Sequence, residues 1–165
     1  MGTADLAILG SSDENDVYVE KYIRSARITC IYAKKPSQAI LELIQIMEPS
    51  GIDVNPEEFF AAVMEREKLV STAIGVGVAI PHAKLEAYKD FFIIMGVQKE
   101  PGIPWSALDG NPVRIVFLIG GPANRQKEYL QILSKITFII KEEENRRKIL
   151  KAKSPEEIAS VFKNF

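Results

Sequence analysis

The sequence of 165 residues lacks several features that would assign a protein to a class. It has one cysteine and one histidine, so we expect neither an internal disulfide nor a metal centre with several Cys or His ligands. Its apolar runs, such as residues 91–97, are far shorter than the roughly 20 residues that span a membrane. With 21 Lys and Arg against 22 Asp and Glu, the net charge is −1, which argues against a general nucleic-acid binder.

The remaining composition is that of a soluble globular protein. Hydrophobic residues make up 47% of the chain and charged residues 26%, enough to build one domain with a substantial core. The first residues show no basic segment followed by an apolar one, so no secretory signal is apparent. Together with the single cysteine, this predicts a cytoplasmic protein without membrane insertion. No pattern in the sequence calls for a metal or another cofactor.

The first 20 residues differ in composition from the rest of the chain. They contain no Lys or Arg and five acidic residues, namely Asp5, Asp13, Glu14, Asp16 and Glu20. Residues 10–16 have the composition of a turn and little to bury. We therefore predict a flexible acidic arm over residues 1–19 and one domain over residues 20–165. A solvated tail is the simpler interpretation of the arm, and a partner-binding segment is the alternative.

Hydrophobic periodicity and capping residues predict strands interleaved with amphipathic helices. Strands are predicted over residues 28–32, 78–80, 91–97 and 113–119, and helices start at Pro36, Pro56, Asn124 and Pro155. The runs 91–97 and 113–119 are continuously apolar, which is typical of strands buried on both faces. Residues 101–112 form a long polar connection between them. The predicted fold is therefore a mixed sheet sandwiched between helices, a three-layer α/β/α arrangement.

The helix that starts near Asn124 is predicted to be long. Its apolar face would consist of Leu130, Leu133, Ile136 and Ile140. Its tail carries three acid–base pairs at spacing i,i+4, which are Glu142–Arg146, Glu143–Arg147 and Glu144–Lys148. This run of charges is most simply a solvated helix surface.

His82 is the natural focus for chemistry because it is the only histidine. Pro81 restricts the backbone before it, and a turn containing Gly75 and Gly77 precedes it and can present N–H groups to an anion. A histidine in such a place can be a general base, a ligand or a phosphoryl acceptor. Without further context, a partly buried imidazole bonded to a backbone carbonyl is the more frequent situation.

Residues 67–83 supply that context, because they resemble the active-site signature of EIIA domains of the phosphoenolpyruvate-dependent sugar phosphotransferase system. The similarity is to the fructose, mannitol and nitrogen-regulatory type. An acidic residue precedes an aliphatic–Gly pair at the expected distance, and aliphatic-Ala-aliphatic-Pro-His-small then follows. The similarity continues through Asp109-Gly110 and the strand at residues 115–119 to the helix around Leu130. It covers about residues 20–163, and its length makes it specific.

The resemblance implies that His82 accepts a phosphoryl group from a phosphocarrier of the HPr type, through Nε2. A phosphoryl group brings about two negative charges and needs a nearby cation. Arg66 matches the active-site arginine of the family, although an exposed helix residue paired with an acid is its ordinary alternative. Ser71 and Thr72 would add hydroxyl donors, or they would simply form the turn at the helix end.

Three further positions bear on the candidate site. Tyr129 stands where many members of the family have a second histidine, and it is either a hydrogen-bond donor in the site or an ordinary core residue beside Leu133. Val76 stands where members of the family often have a polar residue. We expect Cys30 to be a small buried hydrophobic residue, since nothing in the spacing supports a pair with His82.

The resemblance favours a regulatory phosphocarrier over a sugar-uptake component. No segment similar to EIIB, EIIC or HPr accompanies the domain before the sequence ends at Phe165, as in the nitrogen-regulatory EIIA, which signals by binding target proteins. One alternative is an EIIA that passes the phosphoryl group to a separate EIIB. The other is a binding module on the same fold that no longer depends on phosphorylation, which Tyr129 and Val76 favour. A hydrolase would need a nucleophile and an acid around His82, and the sequence offers no such set.

Overall fold

The computed structural model describes residues 17–165. Most of the predicted acidic arm, residues 1–16, lies outside the described residues. At its end, Val19 is fully buried and belongs to the hydrophobic core, and the partly buried Val17 packs against the same cluster. The packed part of the chain therefore includes residues 17–19.

The elements follow the predicted order along the chain. The strands are β1 (Ile28–Cys30), β2 (Ala73–Gly75), β3 (Val78–Ala79), β4 (His82–Lys84), β5 (Phe92–Val97) and β6 (Ile115–Gly121). The helices are α1 (Pro36–Ile44), α2 (Pro56–Leu69), α3 (Gln126–Lys141), α4 (Glu143–Lys151) and α5 (Pro155–Ser160), and short 3-10 helices cover Val19–Lys21 and Ser25–Arg27. Asn55 caps α2 and Ser154 caps α5 through their side-chain oxygens, and both helices have Pro in the first turn, as predicted.

The strands form one mixed sheet with β6 at its centre. The strand order is β1-β5-β6-β3-β2, and β4 also pairs with β6. β5 runs antiparallel to β6 along its whole length, whereas β3 and β4 run parallel to it, β3 near its start and β4 near its end. β3 and β4 therefore follow one another along the edge of β6 that β5 leaves free. This arrangement brings His82 level with Ile119.

The helices cover both faces of the sheet, which confirms the predicted three-layer architecture. Side chains of a strand alternate between its two faces. In β5, Ile93 and Met95 belong to the cluster under α3, α4 and α5, whereas Phe92 and Ile94 belong to the cluster under α1 and α2. All residues of β5 and β6 are buried, so the prediction of strands buried on both faces is confirmed.

The connection between β5 and β6 is less polar than predicted. Ile103 is fully buried and pairs with Val113 as a β-bridge, and Trp105 is 8% exposed. Both side chains pack in the cluster under α1 and α2. The sequence pattern missed this because two isolated apolar residues among prolines and polar residues produce no periodic signal.

The predicted buried face of α3 is wrong at its first position. Leu130 is 52% exposed, whereas its neighbour Tyr129 is buried. Apolar residues occupy adjacent positions of α3 at 129–130, 132–133 and 139–140, so periodicity alone permits two overlapping faces. The structure selects the face with Tyr129, Ile132 and Ile136, because these residues pack against the sheet.

The single long helix predicted for this region is two helices. Glu142 has an extended backbone, with φ −78° and ψ 119°, and it separates α3 from α4. The side chain of Arg146 donates to the carbonyl oxygens of Ile140 (2.7 Å) and Lys141 (3.0 Å). These bonds satisfy carbonyl groups left free at the end of α3. Of the three predicted i,i+4 pairs, the described residues form only Glu143–Arg147, at 3.6 Å.

The turn between β2 and β3 contains backbone strain. Gly75, Val76 and Gly77 all have positive φ, at 90°, 52° and 77°. Positive φ is ordinary for Gly but costs a β-branched residue such as valine free energy. The Val76 N–H donates to Oδ2 of Asp109 at 2.8 Å, and this bond holds the turn in place.

Replacing Val76 by Asn should stabilise the fold by about 1 kcal/mol, because Asn tolerates the left-handed conformation and Val76 is already 45% exposed. The free energy of unfolding from urea titration measures the effect. Val70→Asn is the matched control, since Val70 is also exposed but has φ −152°. Equal effects at both positions would show that the strain at Val76 contributes nothing.

Candidate functional site

Strand β4 places two side chains of the candidate site near the end of β6. His82 and Lys84 are two residues apart in an extended strand, so their side chains lie on the same face. Lys84 was not among the predicted site residues, although the i,i+2 spacing from His82 in a strand is a signal that would have found it. Its Nζ donates to Oε1 of Gln126 and lies 4.2 Å from the centroid of the Tyr129 ring.

The imidazole of His82 is fixed in one orientation. Its Nδ1 lies 2.9 Å from the carbonyl oxygen of Ile80. Because a carbonyl oxygen only accepts, Nδ1 carries the proton and Nε2 keeps its lone pair. Burial lowers the pKa of His82, and the nearby charges of Arg66 and Lys84 lower it further. The imidazole is therefore neutral at pH 7, which is the nucleophilic state.

Arg66 lies close enough to the site for its charge to act on it. That charge lowers the pKa of His82 and opposes the rise of the pKa of Tyr129. Its Nη1 donates to the carbonyl oxygen of Val70 at 3.0 Å. Among the described residues it pairs with no carboxylate, because the adjacent acids have other partners: Glu65 pairs with Lys68 and Glu67 with Thr72. The structure thus differs from the alternative of an arginine paired with a neighbouring acid.

Tyr129 lies beside His82, with ring centroids 5.3 Å apart. Its ring also stacks on Phe91 at 6.2 Å. Burial raises the pKa of Tyr129 to about 12, so the phenol stays protonated and can donate. Within residues 17–165, its hydroxyl has no hydrogen-bond partner. The structure therefore brings together three of the predicted site residues, His82, Arg66 and Tyr129.

Glu67 organises the turn that follows α2. Its carboxylate accepts from the Thr72 N–H (3.0 Å), the Thr72 hydroxyl (2.7 Å) and the Trp105 indole N–H (2.7 Å). Thr72 is 6% exposed, and its hydroxyl proton is already donated, which favours the turn interpretation over a phosphoryl contact. The Ser71 hydroxyl accepts from the N–H of Ala73 at 3.2 Å. The sequence marked Glu67 as part of the motif without indicating this role.

Two sequence-based ideas about the surroundings of His82 do not hold. The glycine turn does not present its central N–H to an anion near His82, since that group is bonded to Asp109 and the turn lies at the opposite end of β6. Cys30 is exposed rather than buried. It lies in β1, which β5 and β6 separate from His82, so the two residues form no nucleophile pair.

The lowered pKa of His82 can be measured by NMR. We expect a pKa below 6.5 for His82, and a higher pKa in Lys84→Met because a neighbouring positive charge is removed. As His82 is the only histidine, its ring C–H signals report the titration without overlap. Lys148 is an exposed residue of α4, and Lys148→Met should leave the pKa of His82 unchanged.

The sign of the linked stability follows from the lowered pKa. Between the pKa of folded His82 and the unfolded value of 6.5, the unfolded chain binds more protons. The stabilisation from neutral His82 is therefore fully present above pH 6.5 and is lost as the pH falls through the folded-state pKa. A measured pKa at or above 6.5 would contradict the described burial and charge arrangement.

Comparison with known proteins identifies the family. The sequence matches the family described as "Phosphoenolpyruvate-dependent sugar phosphotransferase system, EIIA 2" over residues 22–165. The chain belongs to this family. It is 32% identical to the nitrogen regulatory protein of Escherichia coli K12 over 137 residues, which cover 83% of this chain and 82% of that protein. These findings confirm the family that residues 67–83 indicated. They also support a general role as a phosphocarrier or a regulatory protein.

Two further relatives show the range of the family. The fructose-specific EIIABC component of Bacillus subtilis is 30% identical over 132 residues, 80% of this chain, and the match spans only 21% of that longer protein. The crystal structure of nitrogen regulatory protein IIA-Ntr from Neisseria meningitidis superposes with a TM-score of 0.81 at 25% identity, covering 88% of this chain and 99% of that one. Family members of this kind are intermediates in phosphoryl transfer.

Among residues 17–165, no three His, Cys, Asp or Glu side chains cluster as metal ligands would. No helix there is both long and apolar enough to cross a bilayer.

Proposed function

We propose that the chain accepts a phosphoryl group on Nε2 of His82 from an HPr-type phosphocarrier and signals through phosphorylation-dependent binding to other proteins. The observation that carries the proposal is the hydrogen bond from Nδ1 of His82 to the carbonyl oxygen of Ile80, 2.9 Å long. It leaves Nε2 as the free nucleophile of a neutral imidazole.

The transfer is a single displacement at phosphorus. The lone pair of Nε2 forms the new P–N bond while the bond from phosphorus to the donor breaks, and its electron pair leaves with the donor. The Nδ1 proton stays on the ring and continues to donate to Ile80, which stabilises the positive charge that the ring acquires. No other base is needed to deprotonate Nε2, because the tautomer is already set in the resting protein.

Two cations and one neutral donor surround the acceptor in this proposal. Arg66 and Lys84 compensate for the roughly two negative charges of the phosphoryl group, and both already lower the pKa of His82. Lys84 would exchange its bond to Gln126 for a phosphoryl oxygen. Tyr129, without a partner for its hydroxyl in the described structure, supplies a neutral hydrogen bond in place of the second histidine of many relatives.

Intact-mass measurement tests the acceptance step. The full chain is incubated with phosphoenolpyruvate, Enzyme I and HPr of the same organism, and it should gain the mass of one phosphoryl group. Omission of HPr should leave the mass unchanged. An unchanged mass with a demonstrably phosphorylated HPr would overturn the proposal and support a binding module that works without phosphorylation.

Substituting Phe for Tyr129 should slow transfer from HPr about tenfold, because a hydrogen bond to a charged acceptor is worth ~1.5–3 kcal/mol. The ring, its stacking on Phe91 and the melting temperature should be retained. Tyr129→His should restore or raise the rate. If Tyr129→Phe transfers at the wild-type rate, the residue belongs to the packing of the core.

The relatives include both regulatory and sugar-specific proteins. Proteins named nitrogen regulatory protein align over 82% of their length, and the fructose-specific EIIA component of Haloferax volcanii aligns over 90% of its length. Regulatory output is the candidate that we place first. The second candidate is transfer from His82 to a separate EIIB, which the sugar-specific relatives favour. Incubating the phosphorylated chain with EIIB proteins of the same organism distinguishes the two, since rapid loss of the phosphoryl mass would favour transport.

A further inference from the structure

A groove of about 1140 Å³ lies on the side of Phe91 away from His82, and neither His82 nor Arg66 lines it. Its walls come from the first residues of the described chain, from the segment before β5 and from the start of α3. Six basic side chains line it against three acidic ones. The basic residues are Lys21, Arg24, Arg27, Lys89, Arg125 and Lys127, and the acidic ones are Asp53, Asp90 and Glu128.

Most of these positive charges have no acidic partner among residues 17–165. Arg125 pairs with both Asp90 (3.4 Å) and Glu128 (3.6 Å). Within the described part of the chain, the other five basic residues lie within ion-pair distance of no carboxylate. A groove with this excess of cations attracts anions.

Arg27 is the most unusual of these cations. It is partly buried, and its Nε is buried without a hydrogen-bond partner among residues 17–165. Its Nη2 donates one weak bond of 3.4 Å to the carbonyl oxygen of Ser50. Burial and the charge of Arg24 both lower its pKa. Two like charges placed together, one of them partly desolvated, are unfavourable unless an anion binds between them.

The groove also has aromatic walls. Tyr18 is 58% exposed and lines the groove, and Nζ of Lys135 lies over its ring, 5.9 Å from the centroid. Tyr88 packs its ring against Phe59 and Phe92, at 6.0 and 6.2 Å, but its hydroxyl is buried without a partner. Buried polar groups are nearly always hydrogen-bonded. Within residues 17–165, the two buried polar atoms without a hydrogen-bond partner, Nε of Arg27 and the hydroxyl of Tyr88, belong to residues that line this groove.

We propose that this groove binds a nucleoside diphosphate, with the phosphates on Arg24 and Arg27 and the base stacked on Tyr18. Guanidinium groups bind phosphate oxygens in pairs, and aromatic rings stack on any base. The site is independent of His82, so it does not rest on the proposed phosphoryl transfer.

Calorimetric titration of the full, unphosphorylated chain with ADP, pyrophosphate and adenosine tests the proposal. We expect ADP to bind at least tenfold more tightly than pyrophosphate, which lacks the base, and than adenosine, which lacks the charge. Absence of ADP binding at low ionic strength would overturn the proposal. Equal affinities for ADP and pyrophosphate would overturn the part assigned to the base.

Variants separate the contributions of the individual residues. Arg24→Gln and Arg27→Gln should each weaken ADP about tenfold, and Lys148→Gln on α4, outside the groove, should not change its affinity. Because Arg24 is exposed, its variant remains informative if Arg27→Gln does not fold. Tyr18→Ala should weaken ADP but not pyrophosphate. If Arg24→Gln binds ADP as the wild type does, the assignment is wrong.

The acidic segment before Val17 is the competing occupant. If ADP binds only when Asp13, Glu14 and Asp16 are replaced by their amides, the groove belongs to that segment and the proposal is overturned.

Discussion

His82→Ala should gain no phosphoryl group under conditions in which the wild-type chain gains one. The reason is that the chain has no second histidine, and the neutral Nε2 of His82 is the only imidazole lone pair available. Intact mass after incubation with phosphoenolpyruvate, Enzyme I and HPr measures the effect. A phosphorylated His82→Ala variant would show that another residue accepts the group.

The fold of this variant must be intact for the result to count. His82 is only partly buried, and its hydrogen bond to Ile80, the one its side chain makes within residues 17–165, contributes about 1 kcal/mol. We therefore expect a cooperative melt with a midpoint only a few degrees below that of the wild type. His82→Gln is the more conservative variant, because its amide retains a donor near Ile80, and it should be equally inactive. A difference in phosphorylation between the two would indicate that folding and not the nucleophile is being measured.

Arg66→Met should slow phosphorylation of His82 about 10- to 100-fold, because it removes a charged hydrogen-bond donor worth ~1.5–3 kcal/mol. The methionine side chain keeps most of the apolar stem. Arg66→Lys should be intermediate, since it keeps the charge but loses the two-pronged contact with phosphoryl oxygens. The rate of phosphoryl transfer from HPr, followed by mass, is the measurement.

The control for Arg66 lies on the same helix. Lys68 is two residues further along α2, its side chain is 69% exposed, and it pairs with Glu65. Lys68→Met should transfer at nearly the wild-type rate. Arg66→Met should melt close to the wild type, because the side chain of Arg66 makes a single hydrogen bond within the described residues, to the Val70 carbonyl oxygen. If activity falls only as far as the folded fraction does, Arg66 has a structural role.

Much of the architecture was predictable because local signals and burial agree. Continuous apolar runs gave the two central strands, and Asn55 and Ser154 marked helix starts that the structure retains. The sequence also narrowed the chemistry to His82, since it has no other histidine and one cysteine. The long motif at residues 67–83 then indicated a family whose members transfer phosphoryl groups, and the family match agrees with it.

Other features depend on contacts between segments far apart in the sequence. Adjacent apolar residues left two possible faces for α3, and only packing on the sheet buries Tyr129 and exposes Leu130. Lys84 reaches the site because β4 pairs with the end of β6 next to α3. The glycine turn is satisfied by Asp109, 33 residues away, so its position relative to His82 could not be read from spacing.

The sequence by itself determined the layered α/β class and the family, and it singled out His82 as the candidate nucleophile, because each of these is encoded in contiguous residues. Only the tertiary structure decided which nitrogen of His82 is free, since that depends on the direction of the Ile80 carbonyl. It also decided which charges lie near the imidazole and which do not. The basic groove beyond Phe91 is likewise a product of folding, because its cations come from segments about 100 residues apart and form a single surface only when those segments pack together.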